Sequence, residues 1–400
     1  MKRSLRTWSI NFFGLTLSLI ASLFFVRLLV DSSFRVLYSF VPQLSAGFEV
    51  ALTTFSWLLM IRSSSAIFSP MLGALADRYG RRNVMVFALL SQTLGMFGIV
   101  FLTGWWVAIP FFFSGLAVNS YLPAQQAYLS DLVSFERRGR ALASVDIAFA
   151  VSGIVVMPLV GWLFSIYGLK LPFVIMGALS VLGALMVWMF LPEARRGEPE
   201  ERPAADMGSL LRQKNVRASL GVAVLLFTGV GIFMTFWSIW LSADFGFDTV
   251  ELGLMATQIG FAELFGAVLA GLIVDKLGKR RSSLLGLVLS AFFFALIPLS
   301  NGDLFWVRIA VVVTVFWVEY SIVSLFPLYG EQAPHARATI FALVALANGV
   351  GLAIGPVITT ALWEWRGLSV IAYAAAASLG LSALLILFFL KETVSDGGVA

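Results

Sequence analysis

GALADRYGRR, at residues 73–82, recurs 198 residues later as GLIVDKLGKR, at residues 271–280. A second pair of segments, GIVVMPLVG at 153–161 and GLAIGPVIT at 351–359, has the same separation. Matches in the same order at one constant separation indicate that the chain consists of two homologous halves.

The composition excludes most soluble proteins. Of the 400 residues, 60% are hydrophobic and only 12% are charged, whereas soluble domains carry about 25% charged residues. The chain has no cysteine and a single histidine, His335, so we expect no disulfide and no metal site. It also lacks a nucleophile–histidine arrangement and a glycine-rich phosphate loop, so we expect neither an enzyme nor a bound cofactor.

Twelve segments are long and apolar enough to cross a membrane, which takes about 20 residues each. We predict spans 1 to 12 near residues 11–42, 49–76, 84–103, 106–130, 140–166, 171–191, 217–242, 250–275, 282–299, 304–328, 338–362 and 368–390. The sequence therefore predicts an all-α integral membrane protein with two pseudo-symmetric six-helix bundles. The expected domains are an N-terminal bundle (1–191), a polar linker (192–216) and a C-terminal bundle (217–400).

The positive charges predict the topology. Most of the 27 lysines and arginines lie on the side of the two termini and the linker, and cytoplasmic loops carry such an excess. We therefore expect a multi-pass protein of the cell (plasma or inner) membrane with both termini cytoplasmic, and no nucleic-acid partner. The N-terminal apolar run is not followed by a convincing cleavage site, so we interpret it as part of the first span.

Here the chain resembles a known family. GALADRYGRR resembles the signature between spans 2 and 3 of the major facilitator superfamily, and SDLVSFERRGRA, at 130–141, resembles the loop that those transporters have after span 4. The family's antiporters carry a Gly-x-x-x-Gly-Pro motif, which is similar to Gly351, Gly355 and Pro356 in span 11 and, more weakly, to Gly153 and Pro158 in span 5. The arginine that the family often has in span 4 is absent. The resemblance implies alternating-access transport of a small molecule by a monomer in the lipid bilayer.

The glycines of the repeated loop have two expected roles. Gly80 and Gly278 suit tight turns that need a positive φ. Gly73 and Gly271 lie one to two helical turns earlier, where small residues let neighbouring helices approach closely.

The charged residues of this loop form a conformational latch in the resembling family. That role is carried over to Asp77, Arg78 and Arg81, together with Gly73 and Gly80, and to Asp275 and Gly278 of the second copy. The alternative is that the arginines only set the topology.

Span 1 carries three charges inside an apolar segment, where each is costly. Successive helix residues are rotated by about 100°, so Arg27, Asp31 and Arg35 form one stripe, which Tyr38 extends. With an arginine one turn away on each side, we expect Asp31 to stay ionised in at least one conformation. The stripe is either a proton-coupling or substrate site or a permanent clamp that braces span 1.

Other polar and aromatic residues inside the spans are weaker candidates. Arg62 in span 2 is a further substrate candidate, and Glu263 in span 8 and Glu319 in span 10 are further proton carriers. The proposed cavity lining consists of Tyr38 in span 1, Phe233, Trp237 and Trp240 in span 7, and Asn119, Pro123 and Gln126 in span 4. The alternative for these residues is ordinary packing between helices or against lipid.

Three functions remain open at this point. The first is proton-coupled efflux of amphipathic small molecules by alternating access. The second is a carrier for an anionic metabolite that uses Arg27, Arg35 and Arg62, because guanidinium pairs well with carboxylate and phosphate. The third is a membrane sensor or scaffold that does not transport.

Overall fold

Helices are the only regular secondary structure in the described part of the chain. The computed structural model describes residues 15–192, 207–300, 302–333, 336–390 and 392. Twelve helical segments within them are long and apolar enough to cross a membrane, which confirms the predicted number of spans. Spans 1 to 12 are Leu17–Ser39, Leu52–Ala76, Arg81–Phe101, Gly104–Leu132, Arg137–Tyr167, Lys170–Phe190, Lys214–Phe245, Thr249–Leu277, Lys279–Ser300, Leu304–Gln332, Thr339–Arg366 and Leu368–Phe389.

Span 1 ends earlier than predicted. Its helix ends at Ser39, and a separate helix, Val41–Gly47, begins after Phe40, whose φ of −125° and ψ of 35° are not helical. Pro42 lies in the first turn of this second helix, where its missing N–H leaves no hydrogen bond unmade. The charged stripe and Tyr38 all remain on the single helix of span 1.

Span 2 is interrupted in its middle. An α-helix, Leu52–Ser64, is followed by a 3₁₀ turn, Ser65–Phe68, and by a second helix, Ser69–Tyr79. The Ser65 hydroxyl donates to the Arg62 carbonyl at 2.7 Å, and such local side-chain bonds compete with regular helix. The interruption therefore begins at Ser65, three residues after the buried Arg62.

Span 5 contains a π-helical turn, Ser152–Val156, between short α-helical segments and the final helix Met157–Tyr167. Pro158, in the first turn of that final helix, has no N–H to offer the Ile154 carbonyl. The Thr257 hydroxyl of span 8 donates to this carbonyl at 3.3 Å. A side chain from another span thus replaces the hydrogen bond that proline removes.

The chain divides into two compact units. The first consists of Met1–Glu200 with Asp248–Gly260, and the second of Glu201–Phe247 with Phe261–Ala400. The predicted domain boundaries stay predictions, and residues 193–206 of the predicted linker, like His335, lie outside the described residues.

Close helix packing in each unit depends on glycine, but not on the glycines first expected. In the first unit, a Cβ on Gly253 would lie 2.9 Å from the Met157 carbonyl oxygen. In the second, a Cβ on Gly355 of span 11 would lie 2.6 Å from the Gly231 carbonyl carbon of span 7. A Cβ on Gly73 or Gly271 would meet no atom within 4 Å. The expectation that these two glycines permit close approach was therefore wrong, because both face open space.

The two turn glycines behave as predicted. Gly80 has a φ of 96° and Gly278 a φ of 87°, and each separates the helices on either side of it. This backbone conformation is accessible to glycine at little cost, which explains why the repeat keeps glycine at both positions.

Candidate functional site

Arg27 lies at the centre of a polar network in the first unit. Its Nε donates to Asp31 Oδ2 at 2.7 Å, and its Nη1 donates to Asp146 Oδ1 at 3.0 Å. Asp31 is 3% exposed, whereas the Asp146 side chain is 46% exposed. One guanidinium therefore joins a buried carboxylate of span 1 to an exposed carboxylate of span 5.

Gln125 completes this network, whereas the predicted residue was its neighbour Gln126. The Gln125 amide donates to the Leu23 carbonyl at 3.0 Å and to the Tyr121 hydroxyl at 3.2 Å, and its Oε1 lies 3.4 Å from Arg27 Nη1. Gln125 is buried and Gln126 is exposed. The helical spacing of Tyr121, Gln125 and Tyr128 could have revealed the polar face of span 4 that turns inward.

Arg35 holds the π-helical turn of span 5. Its Nε donates to the Ser152 hydroxyl at 3.0 Å and its Nη2 to the Phe149 carbonyl at 3.2 Å. Its guanidinium carbon lies 4.2 Å from the centre of the Phe149 ring, a cation–π contact. A Cβ on Gly153 would lie 3.3 Å from the same carbon, so this position of the antiporter-like motif leaves the space that Arg35 occupies.

Arg62 is 2% exposed and lies among aromatic and hydroxyl groups. Its Nε donates to the Ser114 hydroxyl at 3.4 Å, its guanidinium carbon lies 4.8 Å from the centre of the Phe34 ring, and it interacts electrostatically with Tyr38. Its Nη2 has no hydrogen-bond partner among the described residues, and no carboxylate of theirs pairs with it. Arg62 is thus a buried positive charge without a counter-ion in the described part of the chain.

Asn119, a predicted cavity residue, supports the interruption of span 2. Its side-chain amide donates to the Ser65 hydroxyl at 2.9 Å, and its backbone carbonyl accepts from the Ser69 hydroxyl at 3.2 Å. These bonds satisfy polar groups where the 3₁₀ turn departs from α-helical bonding.

The second unit contains the predicted residues of spans 7 and 10 and Glu263 of span 8. Glu263 is buried and Glu319 is half-buried, and a Cβ on Gly266, one turn after Glu263, would lie 3.3 Å from the Glu319 Cβ. The aromatic candidates of span 7, namely Phe233, Trp237 and Trp240, are all buried. Their roles in coupling or in lining a cavity stay predictions.

The repeated loop makes equivalent contacts in both halves. In the first copy, Arg81 Nε lies 3.4 Å from Asp131 Oδ2 at the end of span 4. In the second, Lys279, which is the repeat equivalent of Arg81, forms an ion pair with Glu331 at the end of span 10. Each loop is therefore tied to the fourth span of its own half.

Other residues of the loop motif contribute differently. The Arg78 guanidinium carbon lies 5.4 Å from the centre of the Tyr79 ring. Asp275 is exposed and makes no hydrogen bond or ion pair with the described residues, while the side chain of Asp77 lies outside them. The latch role of the motif stays a prediction.

Sequence comparison places this arrangement in a family. The model of the Major Facilitator Superfamily matches residues 23–235 and 219–399, and so covers nearly the whole chain. The chain belongs to the major facilitator superfamily. Its twelve spans in two repeated halves are the fold of that family, and the resemblance that the loop motif indicated is confirmed.

Relatives of this major facilitator protein are transporters. It is 24% identical over 346 residues to the uncharacterized MFS-type transporter YceJ of Bacillus subtilis, a match that covers 85% of this chain and 88% of the relative. It is 26% identical over 355 residues to a homolog of the multi-drug resistance efflux pump PmrA from Lactococcus lactis, with 83% and 85% covered.

A solved transporter shares the fold of this major facilitator protein. The crystal structure of a D-xylose-proton symporter superposes with a TM-score of 0.76 at 17% identity, covering 94% of this chain and 98% of the symporter. The family therefore indicates a multi-pass transporter of small molecules rather than an enzyme.

Proposed function

We propose that this protein is a proton-coupled exporter of amphipathic small molecules, which acts as a monomer in the cell membrane with both termini cytoplasmic. The name of the Lactococcus lactis relative, a homolog of a multidrug efflux pump, supports export of such compounds. Half-buried rings of Phe34 and Phe149 next to arginines provide the mixed apolar and polar surface that amphipathic molecules need.

The observation that carries the proposal is the position of Arg27 between Asp31 and Asp146. An ionised carboxylate attracts the guanidinium strongly in a buried setting, and a protonated one does so far less. A proton that binds Asp146, the exposed member, therefore frees Arg27 from span 5, and a proton that binds Asp31 frees it within span 1. Proton binding thus alters the contact between two spans, which is the requirement for coupling to a conformational change.

The test is transport in proteoliposomes that enclose a pH-sensitive dye. Under an imposed pH gradient, we expect an amphipathic compound from a test panel to move together with a proton flux. We expect Asp31→Asn and Asp146→Asn to abolish that flux, because asparagine binds no proton in this range. Asp244→Asn is the matched control, since Asp244 is exposed and has no polar partner among the described residues. Transport with unchanged proton flux in both variants would refute the coupling.

The alternative functions have different support. Of the three arginines considered for an anion carrier, Arg27 is paired with two carboxylates and Arg35 is bound to span 5. Arg62 contacts only neutral groups among the described residues, and one arginine favours an anion subsite more than a separate function. A complete failure to move any compound or proton would instead favour a sensor or scaffold.

A further inference from the structure

Arg62 is unusual among the buried charges of the first unit. It is 2% exposed, yet its described neighbours are two aromatic rings and a serine hydroxyl rather than a carboxylate. A buried charge loses its hydration, and a cation–π contact with neutral hydrogen bonds restores only part of what is lost. One of its nitrogens, Nη2, lacks any hydrogen-bond partner among the described residues. A negative group at this nitrogen would supply both the missing bond and the missing charge.

The surroundings of Arg62 restrict what that group can be. The centre of the Phe34 ring lies 4.9 Å from the centre of the Tyr38 ring and 6.4 Å from that of the Phe149 ring. The guanidinium therefore borders a continuous aromatic surface. Phe34 and Phe149 are half-buried, so part of this surface is open. A single positive charge balances one negative charge, and a dianion would leave an excess charge in an apolar setting.

We propose that Arg62, Phe34 and Tyr38 form a subsite for the carboxylate of a transported monocarboxylate with an aromatic or apolar body. The carboxylate accepts hydrogen bonds from the guanidinium, including Nη2, in the paired geometry that arginine favours. The body of the compound lies against Phe34 and Phe149. Because Phe34 covers the guanidinium, its ring moves aside when the ligand enters. That the ligand is transported rests on the proposed function, whereas its binding needs no proton gradient.

The test measures binding to the purified full-length protein in detergent, with benzoate as the probe. Affinity is followed by tryptophan fluorescence and by the shift in apparent melting temperature. We expect benzamide, which has the same shape without the charge, and phthalate, a dianion, each to bind at least tenfold more weakly than benzoate. These comparisons use the unaltered protein, so no folding defect can affect them. Equal binding of benzoate and benzamide, or no binding of benzoate, would overturn the proposal.

Two variants locate the site. We expect Arg62→Gln to weaken benzoate binding at least tenfold and Arg62→Lys to weaken it less, because lysine keeps the charge and loses the planar fork. Arg308→Gln is the matched control, because Arg308 also lies beside a phenylalanine, with its guanidinium carbon 5.7 Å from the Phe247 ring centre. Unchanged benzoate affinity in a folded Arg62→Gln protein, or an equal loss in Arg308→Gln, would overturn the assignment.

The same measurement separates this subsite from the proposed coupling. Benzoate binding is measured in detergent without a pH gradient, so it does not depend on the proton flux that Asp31→Asn and Asp146→Asn are expected to lose in proteoliposomes. Loss of proton coupling with intact benzoate binding would thus leave the subsite standing. Proton-coupled export of other compounds without benzoate binding would overturn the subsite and leave the transport proposal intact.

Discussion

Arg27 and Asp146, which are 119 residues apart in sequence, form an ion pair with 3.0 Å between Nη1 and Oδ1. The same guanidinium bonds Asp31 one helical turn further along span 1. A charge that looked internal to span 1 in the sequence is therefore shared with span 5. Two carboxylates with different exposure share it, and under the proposed function a proton that binds either one changes the contact between the spans.

The buried Arg27–Asp31 pair should contribute more to the stability of the fold than the Arg27–Asp146 pair. Arg27→Met leaves Asp31 buried without its partner, and loss of one member of a buried pair costs about 3–5 kcal/mol. The double variant Arg27→Met/Asp31→Leu removes both charges, so it should recover most of that loss. The apparent melting temperature in detergent, followed by tryptophan fluorescence, measures both. A double variant no more stable than Arg27→Met would contradict a direct pairing.

Asp146 should contribute to coupling far more than to stability. Its side chain is 46% exposed, and partly exposed ion pairs contribute about 0–1 kcal/mol. We therefore expect Asp146→Asn to change the melting temperature little while it abolishes proton flux in proteoliposomes. A large fall in melting temperature, equal to that of Arg27→Met, would show that Asp146 acts mainly as a structural residue.

Gln125 and Gln126 offer a comparison of adjacent residues. Gln125→Leu removes the amide that bonds Leu23, Tyr121 and Arg27, so we expect a loss of about 1–3 kcal/mol. Gln126→Leu replaces an exposed side chain, and its effect should lie within about 0.5 kcal/mol. Both are compared by melting temperature and by proton flux. Equal effects of the two substitutions would contradict the central place of Gln125.

Most of the fold could be predicted from the sequence because membrane spans are long and predominantly apolar. The repeat located the two halves, and the motif at Gly80 located a turn whose positive φ the structure shows. The end of span 1 was less predictable. Pro42 is compatible both with a continuing helix and with the first turn of a new one, and the non-helical backbone at Phe40 leaves no clear signal in composition.

The contacts of the candidate site were much less predictable. Sequence spacing showed that Arg27 and Asp31 share a helical face, but it could not show that Asp146 of another span shares the same guanidinium. A glycine in the sequence shows that a side chain is missing, but it does not show what fills the space. Gly73 faces open space, whereas Gly153 makes room for Arg35. The residue that a side chain contacts in another helix depends on tertiary packing, and the sequence pattern of a single helix does not reveal that packing.

Gly153 should be sensitive to substitution where Gly73 is tolerant. A Cβ on Gly153 would lie 3.1 Å from the Ala256 carbonyl oxygen and 3.3 Å from the Arg35 guanidinium carbon, so Gly153→Ala displaces Arg35 or its neighbour. We expect slower transport and a lower melting temperature. The Cβ added by Gly73→Ala meets no atom within 4 Å. This substitution should leave the free energy of unfolding unchanged or raise it by up to about 1 kcal/mol, because alanine favours helix. Similar outcomes at both positions would contradict the role given to Gly153.

The loop motif should control the rate of transport with little effect on stability. Arg81 and Asp131 are partly exposed, with 3.4 Å between them, so breaking this ion pair should cost less than about 1 kcal/mol. If the pair forms in one conformation and breaks in the other, its removal shifts the balance between them. Arg81→Gln and Asp131→Asn should then change the transport rate by similar factors, and the double variant should add no further change. Independent, additive effects in this double-mutant cycle would show that the two residues do not act together.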